Sequence, residues 1–371
     1  MPHMVRTSER RSFRGCRRRW DWAYIQGYVP YEEPKPLEFG RAFHVAMETI
    51  YNPETWDIYI TTPDQKRDLA KAAFVRECEM QRKAYLAEVG EPRLDRELKD
   101  DYDQRIILGC GMIDYYIDYV HKTHDQWFRP VRVEVEFEVP ITDENGEPVY
   151  CSNSPHCGQV HANPDVVVHG GRVDLLAEDI IFGGYWIIDW KSAQVLRANA
   201  DILDMDDQIN TYCWALREKL NIDIRGFVYV EIRKDYPRPP KELKRARNGC
   251  MFSTDKSMAT TAPVYREHVS VHDKAAYEAG YYDEFLYWLE NDRDAAKFHQ
   301  WIKMKKSPTH LHNVGLNLAD EASDMVDPKL RKYPSPGRFS CPSCAYRIPC
   351  SARYAGEDYQ YTLDSLYRKV R

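Results

Sequence analysis

The six residues Trp186-Ile-Ile-Asp-Trp-Lys191 constrain the fold more than any other stretch of the chain. Read as a strand, the run sends Asp189 and Lys191 to one face and Trp186, Ile188 and Trp190 to the other. An acid and a base therefore share one surface. Inside an otherwise apolar strand they cost several kcal/mol to bury unless they are paired, ligate a metal or line a cleft. Asp174, in Gly-Arg-Val-Asp-Leu-Leu, lies on the strand just before, so a second carboxylate can converge on the same point.

The neighbouring sequence supplies a sheet to hold that strand. Val131, Val133, Val135, Phe137 and Val139 alternate with Arg132, Glu134, Glu136 and Glu138, the pattern of a half-buried strand. Asp143-Glu144-Asn145-Gly146 reads as a turn and Cys151 to Pro164 as a polar insertion. Arg172 to Ala177 and Tyr185 to Lys191 read as a hairpin around Gly183-Gly184. A helix from about Asp204 to Leu220 and a strand from Gly226 to Ile232 complete a β-β-β-α-β order, so the fold class is α/β with a central mixed sheet. Upstream, Phe39, Phe43, Ala46, Met47 and Ile50 recur at helical spacing, as do Tyr102, Ile106, Ile113, Ile117 and Val120. Downstream, a long helix is expected from about Asp273 to Lys305, followed by a tail rich in Pro, Ser and Cys from Pro328. The expected layout is one elaborated domain: a helical region over 1–129, a core over 130–232, and a helical, cysteine-bearing region over 233–371.

Composition narrows the function classes. With 43% hydrophobic and 30% charged residues, the 371-residue chain has material for a large core in a polar shell. No apolar run approaches the roughly 18 residues that span a bilayer, and the arginine-rich N-terminus lacks the apolar segment of a signal peptide. A cytoplasmic protein of a prokaryotic or phage-infected cell is expected, with no membrane partner. A net charge of -6 argues against coating nucleic acid by bulk charge but allows a local basic surface. No phosphate-binding G-x-x-x-x-G-K-[ST] loop is present, so no ATP-driven half is expected.

Two carboxylates and a lysine suit phosphodiester hydrolysis. A hard divalent ion, Mg2+ or Mn2+, polarises the phosphoryl oxygen and acidifies water, while an ammonium orients that water or offsets developing charge. Alone, Asp-x-Lys is also an ordinary salt bridge. Its context adds His44 on the flank of an apolar helical stripe, and Gln208 and Tyr212, four apart on the following helix and so on one face.

The ordered set Gly40-x-x-x-His44, Gly171-Arg172-x-Asp174, Asp189-x-Lys191 and Gln208-x-x-x-Tyr212 resembles the RecB-like nucleases of the PD-(D/E)XK superfamily. The resemblance covers roughly Ser12 to Ile232 and the cysteine tail. It implies a restriction-endonuclease-like sheet flanked by helices. His44, Asp174, Asp189 and the backbone carbonyl of Trp190 are implied as metal ligands, Lys191 as the catalytic lysine, and Gln208 and Tyr212 as active-site and DNA contacts. Asp in place of Glu before x-Lys is a variant that RecB-like members use.

Cys341-x-x-Cys344 with Cys350 follows the core, and Cys16 precedes it. In a reducing compartment such spacing points to metal rather than disulfides, and by spacing alone to zinc. One cysteine before the core and Cys-x2-Cys-x5-Cys after it is similar to the iron-sulfur subgroup of AddB and the CRISPR-adaptation nucleases, which implies a [4Fe-4S] cluster on Cys16, Cys341, Cys344 and Cys350. Zn2+ at the same four cysteines is the alternative. Cys151, His156, Cys157 and His161 are a weaker zinc candidate, and Cys78, Cys110, Cys213 and Cys250 read as small buried hydrophobes.

Arg17, Arg18, Arg19, Trp20 and Trp22, Arg172, and Lys303, Lys305 and Lys306 near Trp301 are candidate contacts to phosphates and bases. The expected function is a metal-dependent DNA exonuclease on single strands or duplex ends, in recombination, repair or phage DNA processing. The alternatives are a structure-selective endonuclease with the same site, or a non-catalytic iron-sulfur DNA-binding module.

Overall fold

A computed structural model of the chain describes residues 3–31, 36–53, 62–89, 95–121, 125–151, 165–197, 199–247, 249–291 and 298–370. A short strand β1 (His3–Val5) leads into helices α1 (Thr7–Gly15) and α2 (Arg17–Trp20), and strand β2 (Tyr28–Pro30) follows. Helices α3 (Pro36–Tyr51), α4 (Pro63–Val89) and α5 (Asp95–Tyr115) then pack in succession. Phe39, Phe43, Ala46, Met47 and Ile50 form the buried stripe of α3, as their spacing predicts.

The sheet begins at β3 (Phe128–Pro140) and continues with β4 (Tyr150–Cys151), β5 (Asp165–Asp179) and β6 (Tyr185–Ala193). Gly183 and Gly184, at φ +70° and +79°, turn the β5–β6 hairpin in backbone space that L side chains avoid. After α6 (Ala200–Asp204) and α7 (Asp207–Leu220), strand β7 (Ile224–Arg233) returns parallel to β6. The helix expected from about Asp204 to Leu220 is α7, which begins at Asp207 because Asp206 caps it by accepting from Ile209 N at 3.1 Å; the short α6 precedes it.

A satellite of β8 (Glu242–Arg247), β9 (Cys250–Phe252), α8 (Ala262–His272), α9 (Lys274–Glu278) and α10 (Asp283–Asn291) buries its own aromatic cluster around Tyr265 and Tyr282. The single helix expected from Asp273 to Lys305 does not form. Gly280 at φ +78° follows the end of α9, and residues 299–305 become β10 (His299–Lys305), antiparallel to β7. The exposed edge of β7 offers a ladder of backbone donors and acceptors that a helix would leave unpaired. Helices α11 (Pro308–Val326), α12 (Arg347–Ala355) and α13 (Tyr359–Leu366) and strand β11 (Tyr367–Lys369) complete the chain.

The result is a mixed seven-stranded sheet with helices on both faces, consistent with a restriction-endonuclease-like fold. Trp186, Ile188, Trp190, Val228 and Val230 pack against α3 to α5, while Ile187, Phe227 and Met304 pack against α7 and α11. Among the described residues, no helix is long and apolar enough to cross a membrane.

One irregularity places the site. Strand β5 pairs with β3 along most of its length, but its other edge is shared: β1 takes Val167 to His169 and β6 takes Leu175 to Glu178. The two-residue alternation of β5 also changes face between these partners. Val167 and Val173 face α7, whereas Leu175 and Ala177 face α3. Asp174 sits at that change. On β3 the same crossing falls at Glu134, the residue between Val133 and Val135, whose φ of +48° is left-handed without being glycine, a conformation costing about 1–3 kcal/mol.

The chain ends meet away from the sheet. Strand β11 pairs antiparallel with β2, and Trp22, Tyr28, Tyr346, Leu363 and Tyr367 pack in one small core. Tyr28 Oη donates to Asp364 at 2.7 Å, Tyr346 Oη donates to the Tyr28 carbonyl, and Lys332 pairs with Asp21 at 2.7 Å.

Candidate active site

Because alternation changes face at Asp174, its carboxylate is reached both by a helix side chain and by the backbone of the next strand. From α3, His44 Nδ1 lies 3.0 Å from Asp174 Oδ2. From β6, the Trp190 backbone N–H donates to the same oxygen at 3.1 Å. The Trp190 ring is itself fixed, stacked on Tyr51 at 4.8 Å with its Nε1 donating to Tyr116 Oη at 3.2 Å. Strand β6 sends Asp189 and Lys191 to the α7 side. There Lys191 Nζ donates to Asp189 Oδ1 at 2.9 Å and stands 2.7 Å from Oδ2.

Gln208 and Tyr212, one turn apart on α7, line the same region. Gly171 is required for this approach, since a Cβ there would stand 2.5 Å from the Phe137 ring and 3.1 Å from the Tyr212 ring. A cavity of about 790 Å3 is lined by His44, Glu134, Arg172, Asp174, Gln208 and Tyr212 among others. A smaller one of about 220 Å3 is lined by Asp189, Lys191, Gln208 and Tyr229.

Burial and mutual charge set the protonation of this group. Burial pushes the Asp189 carboxyl up to about 6, with Lys191 opposing and Asp174 reinforcing the rise. Burial would also raise Asp174, but the hydrogen bond and charge of His44 outweigh it and hold Asp174 below the ordinary carboxylate value. Burial would lower His44, yet its bond to Asp174 keeps it above the usual imidazole value. Lys191 behaves likewise: the adjacent acids overcome burial and hold the ammonium charged. The site therefore buries two acids against the Lys191 ammonium and the His44 imidazole, an arrangement that contributes little net stability.

The donor set fits a hard divalent ion. Asp189 Oδ2 is buried without an aligned hydrogen-bond donor, and carboxylates beside an imidazole are ligands for Mg2+ or Mn2+. Among the described residues, no three His, Cys, Asp or Glu side chains are grouped as an ion would need, here or at Cys16, Cys341, Cys344 and Cys350; at this site Asp174 is paired with His44 and Asp189 with Lys191.

The four tail and leader cysteines are all free and half-buried. Cys16 and Cys344 lie near enough to Cys350 to raise its thiol along with burial, the largest cause, while the Arg18 side chain bonds Cys350 and lowers it. Backbone N–H groups of Ser335 and Gly337 donate to Cys16 Sγ at 3.4 Å and Cys341 Sγ at 3.2 Å. Amide donors aimed at sulfur suit thiolates in a metal centre. Of the weaker zinc candidate, Cys151 is disulfide-bonded and so is not a free ligand, and His156, Cys157 and His161 lie outside the described residues. Cys78, Cys213 and Cys250 are buried; Cys110 is half-buried.

The basic candidates fare unevenly. Trp20 is not a surface stacking platform: it is 1% exposed, packs edge-on to Phe13 at 4.9 Å, and its Nε1 donates to Glu9 at 3.1 Å. Trp22 is buried too. An indole next to arginines gains more from the core than from water. Arg17 lies over Phe13 and Tyr333 and lines a third cavity, of about 740 Å3, while Arg18 bonds Cys350 and Arg19 donates to Ser12; none of the three lines the two cavities above. Lys306 is buried on Asp204 at 2.6 Å, and Lys303 lies 3.4 Å over the Trp127 ring. Arg172 does line the larger cavity, paired with Glu134 at 2.7 Å. The cavity rim draws instead on Arg6, Arg11 and Arg41. Spacing along the chain does not single out these three, since what joins them is one cavity lined from the start of α1 and from α3.

A family model described as the PD-(D/E)XK nuclease superfamily matches residues 7–351. No curated protein matches the chain.

Proposed function

The chain belongs to the PD-(D/E)XK nuclease superfamily, and on that premise we propose that it is a divalent-metal-dependent DNA exonuclease of the RecB-like type. Members of this superfamily are generally metal-dependent nucleases, so the substrate is a nucleic acid; single-stranded DNA or duplex ends are the finer reading. The observation that supports it most is the meeting of His44, Asp174, Asp189 and Lys191 at one break in the sheet. Metal ligands on this reading are His44, Asp174, Asp189 and the Trp190 carbonyl.

When bound, Mg2+ or Mn2+ supplies a Lewis acid and a more acidic water. Lys191, kept charged by its neighbours, offers its ammonium to the attacking water or to the developing phosphorane charge. Asp174 is held in place by the Trp190 amide, so its second oxygen is oriented by the rigid β6 backbone. Gln208 and Tyr212 position the strand from the α7 side. Cys16, Cys341, Cys344 and Cys350 hold a [4Fe-4S] cluster whose role is to fasten the chain ends, in recombination, repair or phage DNA processing.

Digestion of 5′- and 3′-labelled single strands with Mg2+ or Mn2+ tests the reading. Stepwise shortening that disappears with Lys191→Ala supports it. An unchanged rate in Lys191→Ala overturns the assignment, and scission of closed circular single-stranded DNA replaces exonuclease with endonuclease. Iron and sulfide content of anaerobically purified protein separates the cluster from zinc.

A further inference from the structure

Helix α1 carries cations on two sides, and only one side is spoken for. Arg10, on one flank, is buried between Asp207 at 3.0 Å and Glu321 at 2.5 Å. Arg14, one turn on, repeats the grip with 2.5 Å to Asp207 and 2.9 Å to Glu321. These four pairs lock α1 to the first turn of α7, next to Gln208, and to α11. On the adjoining flank, Thr7, Ser8 and Arg11 line the larger cavity. Arg11 also lines the smaller one, with Asp189 and Lys191. Among the described residues that line them, Arg11 and Gln208 are common to both cavities.

The charges there leave a specific need. Of the cations lining the two cavities, His44 is engaged by Asp174, Lys191 by Asp189, Arg172 by Glu134 and Arg41 by Glu77, and Arg6 donates to the Met4 sulfur; among the described residues Arg11 and Lys219 enter no ion pair, and of these two only Arg11 lines both cavities. An incoming phosphodiester brings further negative charge to a place already lined by six acids, Glu134, Glu136, Glu138, Asp174, Asp189 and Asp206. Arg11 is exposed, and among the described residues its guanidinium enters no ion pair or side-chain hydrogen bond. Its neighbour Arg10 is immobilised, so the Arg11 backbone is set in orientation while its planar fork stays available.

We propose that Arg11 is a substrate-binding catalytic residue that grips the non-bridging oxygens of the scissile phosphodiester from the α1 side, opposite the acids of β5 and β6. This rests on the nuclease reading above. The guanidinium keeps its protons throughout; its contribution is a bidentate charge-assisted contact that strengthens as charge gathers on the phosphoryl oxygens.

The test compares Arg11→Ala, Arg11→Lys and, as control, Arg76→Ala on the exposed surface of α4. The full-length protein is given a labelled single-stranded oligodeoxynucleotide with Mg2+ or Mn2+, and kcat and KM are measured separately. Binding of the same strand is followed against salt in a Lys191→Ala background. The expected result is a fall of about 10²-fold in kcat/KM for Arg11→Ala, carried mainly by kcat. Arg11→Lys should recover part of it, Arg76→Ala should match the parent, and the salt slope of binding should drop by about 0.7 for the one lost phosphate contact. Arg11→Ala within twofold of the parent in both kcat/KM and binding overturns the proposal. If the parent itself cleaves nothing, the nuclease reading fails, and the binding arm still decides: an unchanged salt slope overturns the role of Arg11, a reduced one supports it as a phosphate contact.

Discussion

The break in the sheet and the junction of the chain ends are built on opposite principles. At the break, charge is buried and incompletely satisfied: Asp189 is 3% exposed, its carboxyl raised to about 6, beside a second acid and a left-handed Glu134. At the junction, nearly neutral aromatic groups meet, and polar atoms such as Tyr28 Oη and Tyr346 Oη each find partners. The first region holds strain where chemistry is expected; the second holds fit where only attachment is needed. Mutations should therefore separate the two by what they damage.

The largest separation should come from Asp189→Asn with Lys191→Met. Cleavage should fall by about 10³-fold or more, while denaturant unfolding shows stability unchanged or raised by about 1–4 kcal/mol, since a buried ion pair is often no better than apolar side chains. A double variant that unfolds easily would show that the break contributes as much to the fold as the junction does.

His169 probes the seam between the regions, because it ties β5 to β1 through Nδ1 and the Val5 carbonyl at 3.1 Å. Burial, helped by the charge of Arg10, lowers it to about 4 from an unfolded value near 6.5. Its neutral form is thus favoured by folding: the stability is fully present above pH 6.5 and is lost as pH falls through 4, at most ~3 kcal/mol. Urea titrations at several pH values should show this slope, and His169→Gln should flatten it; an unaltered slope removes His169 from the account.

Cys350→Ser should do the reverse of the Asp189 variant. Iron content should fall, and stability should drop by about 2.7 kcal/mol, the value for losing a ligand present at 100 times its Kd. Cys350→Ser protein that keeps full iron and an unmoved melting temperature would sever the thiols from the junction's stability. The smallest effect is expected from Tyr28→Phe, which removes the bonds to Asp364 and Gln360 and should cost about 1 kcal/mol with little change in cleavage. A cleavage loss larger than the stability loss would mean that the junction steers the site directly.

What the sequence disclosed follows the same divide. The run from Trp186 to Lys191 was readable because alternation sorts its side chains whatever surrounds it, and Gln208 and Tyr212 because helical spacing does the same. The change of face at Asp174 was not, since nothing in Val-Glu-Val announces that Glu134 adopts a positive φ. Strand β1 is too short to leave a period, and its pairing with β5 spans most of the N-terminal half. Residues 299–305 read as helix because their edge-strand identity comes from β7, a distant partner. Trp20 and Trp22 misled because a run of arginines suggests a surface, whereas indoles follow the core. Of the candidate site, Asp189, Lys191, Gln208 and Tyr212 were legible from spacing within one element; the arginines that line the larger cavity from separate elements were not.

The junction also dictates when the molecule becomes whole. Tyr28 takes a partner, Gln360, that lies 332 positions further along the chain. At bacterial-to-eukaryotic synthesis rates, roughly 15–70 s pass on the ribosome between the two. Throughout that interval Trp22 and Tyr28 lack the surface that covers them. The emerging N-terminal segment thus carries bare aromatic surface until Tyr346, Leu363 and Tyr367 arrive to cover it.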